Sequence, residues 1–218
     1  MTPSLTNRRL EFLSLAIILV YASHAIPAYL VYGNIFGSHD DIIEQAIGQF
    51  NWYQVISLIF SMLLVAHDPA GYGVRIGRAR ETWKRLVLLC AIPIVLTAIV
   101  YPRLESRPFH GAPAAIWLIS PLAQDLLFAG YFFEKFRKLF PGHLSARLPF
   151  ERCIFVTAFF FALWHTPGFA ANLGWYIWFQ LVYTFFGACL VGLIRQWTGS
   201  LLYITVVHMI VNYIAVKY

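Results

Sequence analysis

The sequence predicts an all-α fold: a polytopic transmembrane helix bundle with about seven membrane helices and room for an eighth. Three observations carry this expectation. The 218 residues are 60% hydrophobic and only 12% charged, far from the average of a water-soluble domain. Apolar runs of roughly 20 residues, enough helix to cross about 30 Å of hydrocarbon, recur along the chain. Aromatic residues make up 17% of it, and Trp and Tyr collect where hydrocarbon meets the headgroups.

The apolar runs lie near 12–33, 52–67, 84–101, 115–134, 153–169, 174–195 and 200–217. The first follows Arg8 and Arg9, as a secretory signal would, but continues past the small residues Ala22 and Ala25 to Tyr32, which predicts a retained helix. The second run is short. The stretch DDIIEQAIGQFNW ahead of it reads as an interfacial or re-entrant helix and is the source of the eighth element.

Charge placement supports seven crossings. With the N-terminus cytoplasmic, all 16 Lys and Arg residues except Arg103, Arg107 and Lys217 fall on the cytoplasmic side, an asymmetry that a missed span would scramble. The acidic stretch with Asp40, Asp41 and Glu44 falls outside. The net charge of +6 is therefore topological, and it points to a bilayer, best a prokaryotic plasma membrane, rather than to nucleic acid. Cys90, Cys153 and Cys189 lie in apolar text without metal-ligand spacing and read as small hydrophobes. With no internal repeat and no long linker, residues 1–218 read as a single membrane domain.

Three spans carry polar groups near mid-depth. Gln124 and Asp125 interrupt the apolar stretch SPLAQDLLFAGYFF, about ten residues or roughly 15 Å into a helix. His165 comes late in its helix. His208 and Asn212 are four residues apart and share a helix face. An ionisable group at membrane depth faces protein or water, so Asp125 is the strongest of these as a functional residue, whereas Gln124 alone would serve equally as interhelical glue. Pro121 and Pro167 are expected kink sites. His24, in the first span, reads as a hydrogen-bonded packing residue. His39, His67, His110 and His143 read as solvated loop residues, and Glu134 as the i,i+4 partner of Lys138.

The flanking text of these polar sites resembles the CPBP, or Abi, family, the CAAX-protease and bacteriocin-processing membrane proteins. SPLAQDLLFAGYFF, Ser120 to Phe133, resembles the family's first motif, a helix with Glu-Glu-x-x-x-Arg-Gly. FALWH, Phe161 to His165, resembles the second, Phe-x-x-x-His. TGSLLYITVVHMIVN, Thr198 to Asn212, resembles the third, in which Gly-Ser-Leu opens a helix carrying His-x-x-x-Asn. Three motifs in family order on separate spans cover roughly residues 115–214, the last half of the chain.

The resemblance implies a protease that cuts a membrane-associated peptide or protein within or beside the bilayer. A glutamate and a histidine activate water, and the second histidine and the asparagine stabilise the oxyanion. Carried over by position, the site is Gln124, Asp125, His165, His208 and Asn212. The family has also been described as metalloproteases, which makes His165 and His208 zinc candidates. They lie on different helices and lack the His-Glu-x-x-His spacing, so the residues themselves imply no metal. The first motif departs from the family, with Gln124-Asp125 for Glu-Glu and Ala129 for Arg. An amide cannot accept a proton as a base, yet the formal charge of the motif stays at minus one. Either Asp125 has become the base, with Gln124 orienting water or substrate, or the site binds a peptide or partner helix without cutting it. A small transporter is the rival from another class. It would be expected to show internal repeats or paired broken helices, and the sequence has neither.

Overall fold

At membrane depth no water pairs with the backbone, so each apolar run closes its own hydrogen bonds as a helix. The computed structural model describes residues 5–32, 39–77, 79–103, 114–145, 149–165 and 175–217. Arg78, Arg107, His110, Arg147 and Pro167 lie outside the described residues. The helices are α1 (Leu5–Tyr32), α2 (His39–Val65), α3 (Ala79–Val100), α4 (Ala114–Asp125), α5 (Phe133–Leu139), α6 (Arg152–Trp164), α7 (Trp175–Thr198) and α8 (Leu202–Lys217). A π-helical segment, Leu126–Phe132, joins α4 to α5 in one rod, giving seven rods among the described residues.

The separate eighth element is not there. Residues 40–52 continue into the second span as part of α2, and His39 is its first residue rather than part of a loop. That stretch contains no Pro, and its one Gly costs only about 1 kcal/mol relative to Ala, too little to break a helix. Among the described residues four helices are long and apolar enough to cross a membrane: Thr6–Pro27, Trp83–Arg103, Ala114–Leu139 and Gln180–Thr198. The apolar parts of α2, α6 and α8 are shorter, at 10–17 residues. The chain is an integral membrane protein.

The α4–α5 rod is buried along most of its length, with α2 and α8 packed against α4, while α1 and α3 turn most of their side chains outward. Leu10, Ile18, Leu63 and Leu88 face outward, where lipid is their solvent. Inside, Phe132, Phe133 and Phe136 are fully buried. The Phe136 ring lies 5.6 Å from Phe12 of α1, 5.6 Å from Phe132 and 5.2 Å from Phe160 of α6, so one aromatic stack ties three rods together.

Several basic residues bond to helix ends and to the segments that link the helices. Arg9 Nε donates to the carbonyl of Leu139 at 2.8 Å, and the segment Gly71–Gly77 docks on the turn between α7 and α8. Arg75 Nε donates to the Gly199 carbonyl at 3.0 Å, Leu201 N–H to the Gly73 carbonyl at 2.9 Å, and the Ser200 hydroxyl to the Arg75 carbonyl. Ser200 also caps α8, its oxygen accepting the Leu202 N–H at 3.1 Å. The Gly-Ser-Leu of the third motif is thus a docking and capping element.

Gly77 is fixed by this docking, because its φ is +72° and a Cβ there would lie 2.3 Å from the Thr198 carbonyl oxygen. Gly77→Ala is expected to destabilise by at least about 2 kcal/mol: the left-handed conformation alone costs about 1–2 kcal/mol, and the backbone carbonyl cannot swing aside. A thermal melt in detergent checks this. An unchanged midpoint would mean that the docked segment contributes nothing to stability.

Arg195, near the end of α7, is almost fully buried, although its place in the sequence reads as an ordinary cytoplasmic charge. Its Nη2 pairs with Glu134 Oε1 at 2.9 Å and donates to the Gly71 carbonyl at 3.2 Å, while Nε donates to the Ala129 carbonyl at 3.2 Å. Glu134 is therefore paired with Arg195, and at 3.4 Å with Arg137, rather than with the Lys138 expected from spacing. Burial decides the choice: a carboxylate turned inward meets the cation that is also inside.

Candidate functional site

Asp125 is the last residue of α4, and the π segment begins immediately after it. π turns inside membrane helices loosen the regular ladder and are frequent at functional sites. The sequence carries no periodic signal for this one. Gly130 within it is set closely against the docked segment, since a Cβ would lie 3.3 Å from the Tyr72 carbonyl oxygen and 3.4 Å from Leu201 Cδ1. That close approach accounts for the motif glycine.

Asp125 is buried, and its Oδ1 lies 3.1 Å from His208 Nδ1 on α8. A carboxylate accepts, so His208 donates from Nδ1, and its Nε2 points away from the pair. The other oxygen, Asp125 Oδ2, is buried and has no hydrogen-bond partner among the described residues. Gln124 is buried beside it. Its Nε2 donates to Ser120 Oγ at 2.7 Å, one turn back on α4, which leaves Oε1 as a second buried acceptor without a partner among the described residues. Ser120 and Gln124 stand four residues apart on one helix face, which brings the hydroxyl and the amide together.

His165 follows the last residue of α6. Its Nδ1 donates to the Phe161 carbonyl at 2.8 Å, so in the neutral ring Nε2 carries the lone pair. The Phe161 ring connects the histidines, with its centroid 4.7 Å from His165 and 6.1 Å from His208, edge-on in both cases. The phenylalanine of the second motif therefore packs between them. Asn212 Nδ2 donates to the Ile116 carbonyl on α4 at 3.2 Å, tying the upper turn of α8 to the rod that carries Asp125.

The structure thus brings Asp125 and His208 into direct contact, sets His165 near His208 across one ring, and anchors Gln124 and Asn212 to α4. Ala129, at the position of the family's Arg, carries no charge, but its carbonyl receives the guanidinium of Arg195 from α7. Zinc does not fit this arrangement. Among the described residues no three His, Cys, Asp or Glu side chains converge as ligands.

Comparison with known proteins agrees with this reading of the fold. The family model described as type II CAAX prenyl endopeptidase Rce1-like matches residues 106–214, half of the chain, from ahead of α4 into the last turns of α8. No curated protein and no solved structure matched. The matched region contains all three motifs, and within it the helices bearing Asp125 and His208 meet; the chain belongs to the Rce1-like family of type II CAAX prenyl endopeptidases, a family of membrane proteases.

Proposed function

We propose that the protein is an intramembrane peptidase that hydrolyses a membrane-associated peptide or protein, with Asp125 as the displaced base. The observation that carries this reading is the Asp125–His208 contact at 3.1 Å, which leaves Asp125 Oδ2 as a buried acceptor without a partner among the described residues. A buried carboxylate oxygen calls for a donor, and a water O–H supplies one.

In the proposed reaction, Oδ2 takes a proton from water as the water oxygen bonds to the scissile carbonyl carbon. His165, with its Nε2 lone pair, helps to activate the same water. The carbonyl oxygen becomes an oxyanion and is met by donors: Nε2–H of His208 in its doubly protonated form, and the second amide hydrogen of Asn212. Collapse of this intermediate breaks the C–N bond, and the departing amine takes back the proton held by Asp125. Gln124, with Nε2 fixed on Ser120, offers Oε1 to the water or to a substrate N–H. The uneven placement of Lys and Arg along the sequence supports a prokaryotic plasma membrane with the N-terminus cytoplasmic.

The test is cleavage of membrane-associated peptides by protein purified into liposomes. His165→Ala and Asp125→Asn are each expected to reduce it by at least about 100-fold, and cleavage at the native rate in both variants overturns the site. One observation favours a second reading: the amide at the family's glutamate position is already bonded to Ser120 and cannot accept a proton. A peptide that binds with an affinity dependent on Asp125 and His208, yet is never cut, would establish a pseudoprotease instead.

A further inference from the structure

The first 105 residues lie outside the family match, yet two side chains of α1, His24 and Ser23, bond to Trp164 at the end of α6, and Tyr53 of α2 bonds to His24. His24 Nε2 lies 2.6 Å from the Trp164 carbonyl oxygen, and His24 Nδ1 lies 2.5 Å from the Tyr53 hydroxyl. The carbonyl can only accept, so Nε2 carries the hydrogen and Nδ1 accepts from Tyr53. This hydrogen-bond chain gives His24 one tautomer and one orientation. The imidazole also stacks on the Trp164 indole at 4.1 Å between centroids, and Trp164 Nε1 donates to Ser23 Oγ at 2.9 Å.

The grip falls on a single peptide group. The last carbonyls of a helix lack partners within it, and the Trp164 carbonyl belongs to the same planar unit as the His165 N–H. That N–H donates to the Ala162 carbonyl at 3.0 Å. Held by His24 on one edge and by Ala162 on the other, the plane cannot turn, and it sets the direction in which His165 leaves the backbone.

We propose that His24, oriented by Tyr53, is a positioning residue for His165: it anchors the 164–165 peptide plane and so aims the imidazole at the reacting water. This rests on the peptidase reading, and the test separates the two. In liposomes, His24→Ala is expected to lower kcat by about 10–100-fold, the size of loss seen when the hydrogen-bond partner that orients a metal-ligating histidine is removed, with KM within about twofold of native. His24→Gln, whose side-chain N–H lies where the imidazole Nε2–H was, is expected to restore kcat to within about threefold.

A kcat for His24→Ala equal to native overturns the proposal, as does a His24→Gln protein that falls as far as His24→Ala, which would mean that only packing was lost. The second readout is the NMR signal of the His165 ring in histidine-labelled protein, expected to move in His24→Ala and to return in His24→Gln. If the native chain cuts no peptide, the peptidase reading fails and this signal alone decides: movement and return sustain the anchoring of His165 by His24, and an unmoved signal refutes it.

Discussion

Asp125→Asn is expected to reduce peptide cleavage by about 10²–10⁴-fold, the range associated with loss of a general base, without loosening the fold. The amide is nearly isosteric with the carboxylate. Its oxygen still accepts the His208 Nδ1–H that now meets Asp125 Oδ1 at 3.1 Å, so α4 and α8 stay joined. What disappears is proton affinity at Oδ2, the buried oxygen without a partner among the described residues. Initial rates in liposomes, with melting temperature as the control for folding, check this. A variant that keeps most of its activity would move the base elsewhere, with His165 the next candidate. A native protein that binds peptide at this site and never cuts it would leave the family architecture serving recognition.

The second large effect is on stability. Arg195→Met is expected to destabilise the protein by about 3 kcal/mol, because it strands a largely buried Glu134 and two carbonyls, and breaking a buried pair from one side typically costs 3–5 kcal/mol. The lower end of that range applies, since Arg137 also lies 3.4 Å from Glu134 and is itself half exposed. For a chain of this length the melting midpoint should fall by about 6–12 °C. Arg195→Lys is expected to recover only part of the loss, because one ammonium cannot serve the Ala129, Gly71 and Glu134 acceptors that the guanidinium fork reaches together. Adding Glu134→Gln to Arg195→Met should return much of the stability by removing the stranded charge. If the double variant melts no higher than Arg195→Met, the ion pair is not what holds this end of the bundle.

The two effects meet at the π segment. Asp125 precedes it, and the Arg195 guanidinium bonds to the Ala129 carbonyl inside it. The family's arginine side chain is absent at position 129, and a guanidinium arriving from α7 occupies the backbone there instead. Charge counting along the motif gives no hint of this, because that guanidinium lies 66 residues further along the chain.

Composition and spacing alone determined the solvent, the helical class and the rough positions of the rods, because a bilayer leaves the backbone only helices or closed barrels and a helix needs a set length to cross it. They also single out Asp125, His165 and His208 as candidates, since polar groups at membrane depth are costly. Only the tertiary structure decided partnerships. Glu134 took Arg195 over its near neighbour Lys138, Asp125 met His208, Asn212 reached back to Ile116, and His24, which the sequence offers as one more packing histidine, reached the peptide group ahead of His165. The physical reason is common to all four: in a low-dielectric interior a polar atom bonds to whichever donor or acceptor packing brings to it, and packing is set by side-chain shape across helices far apart in sequence.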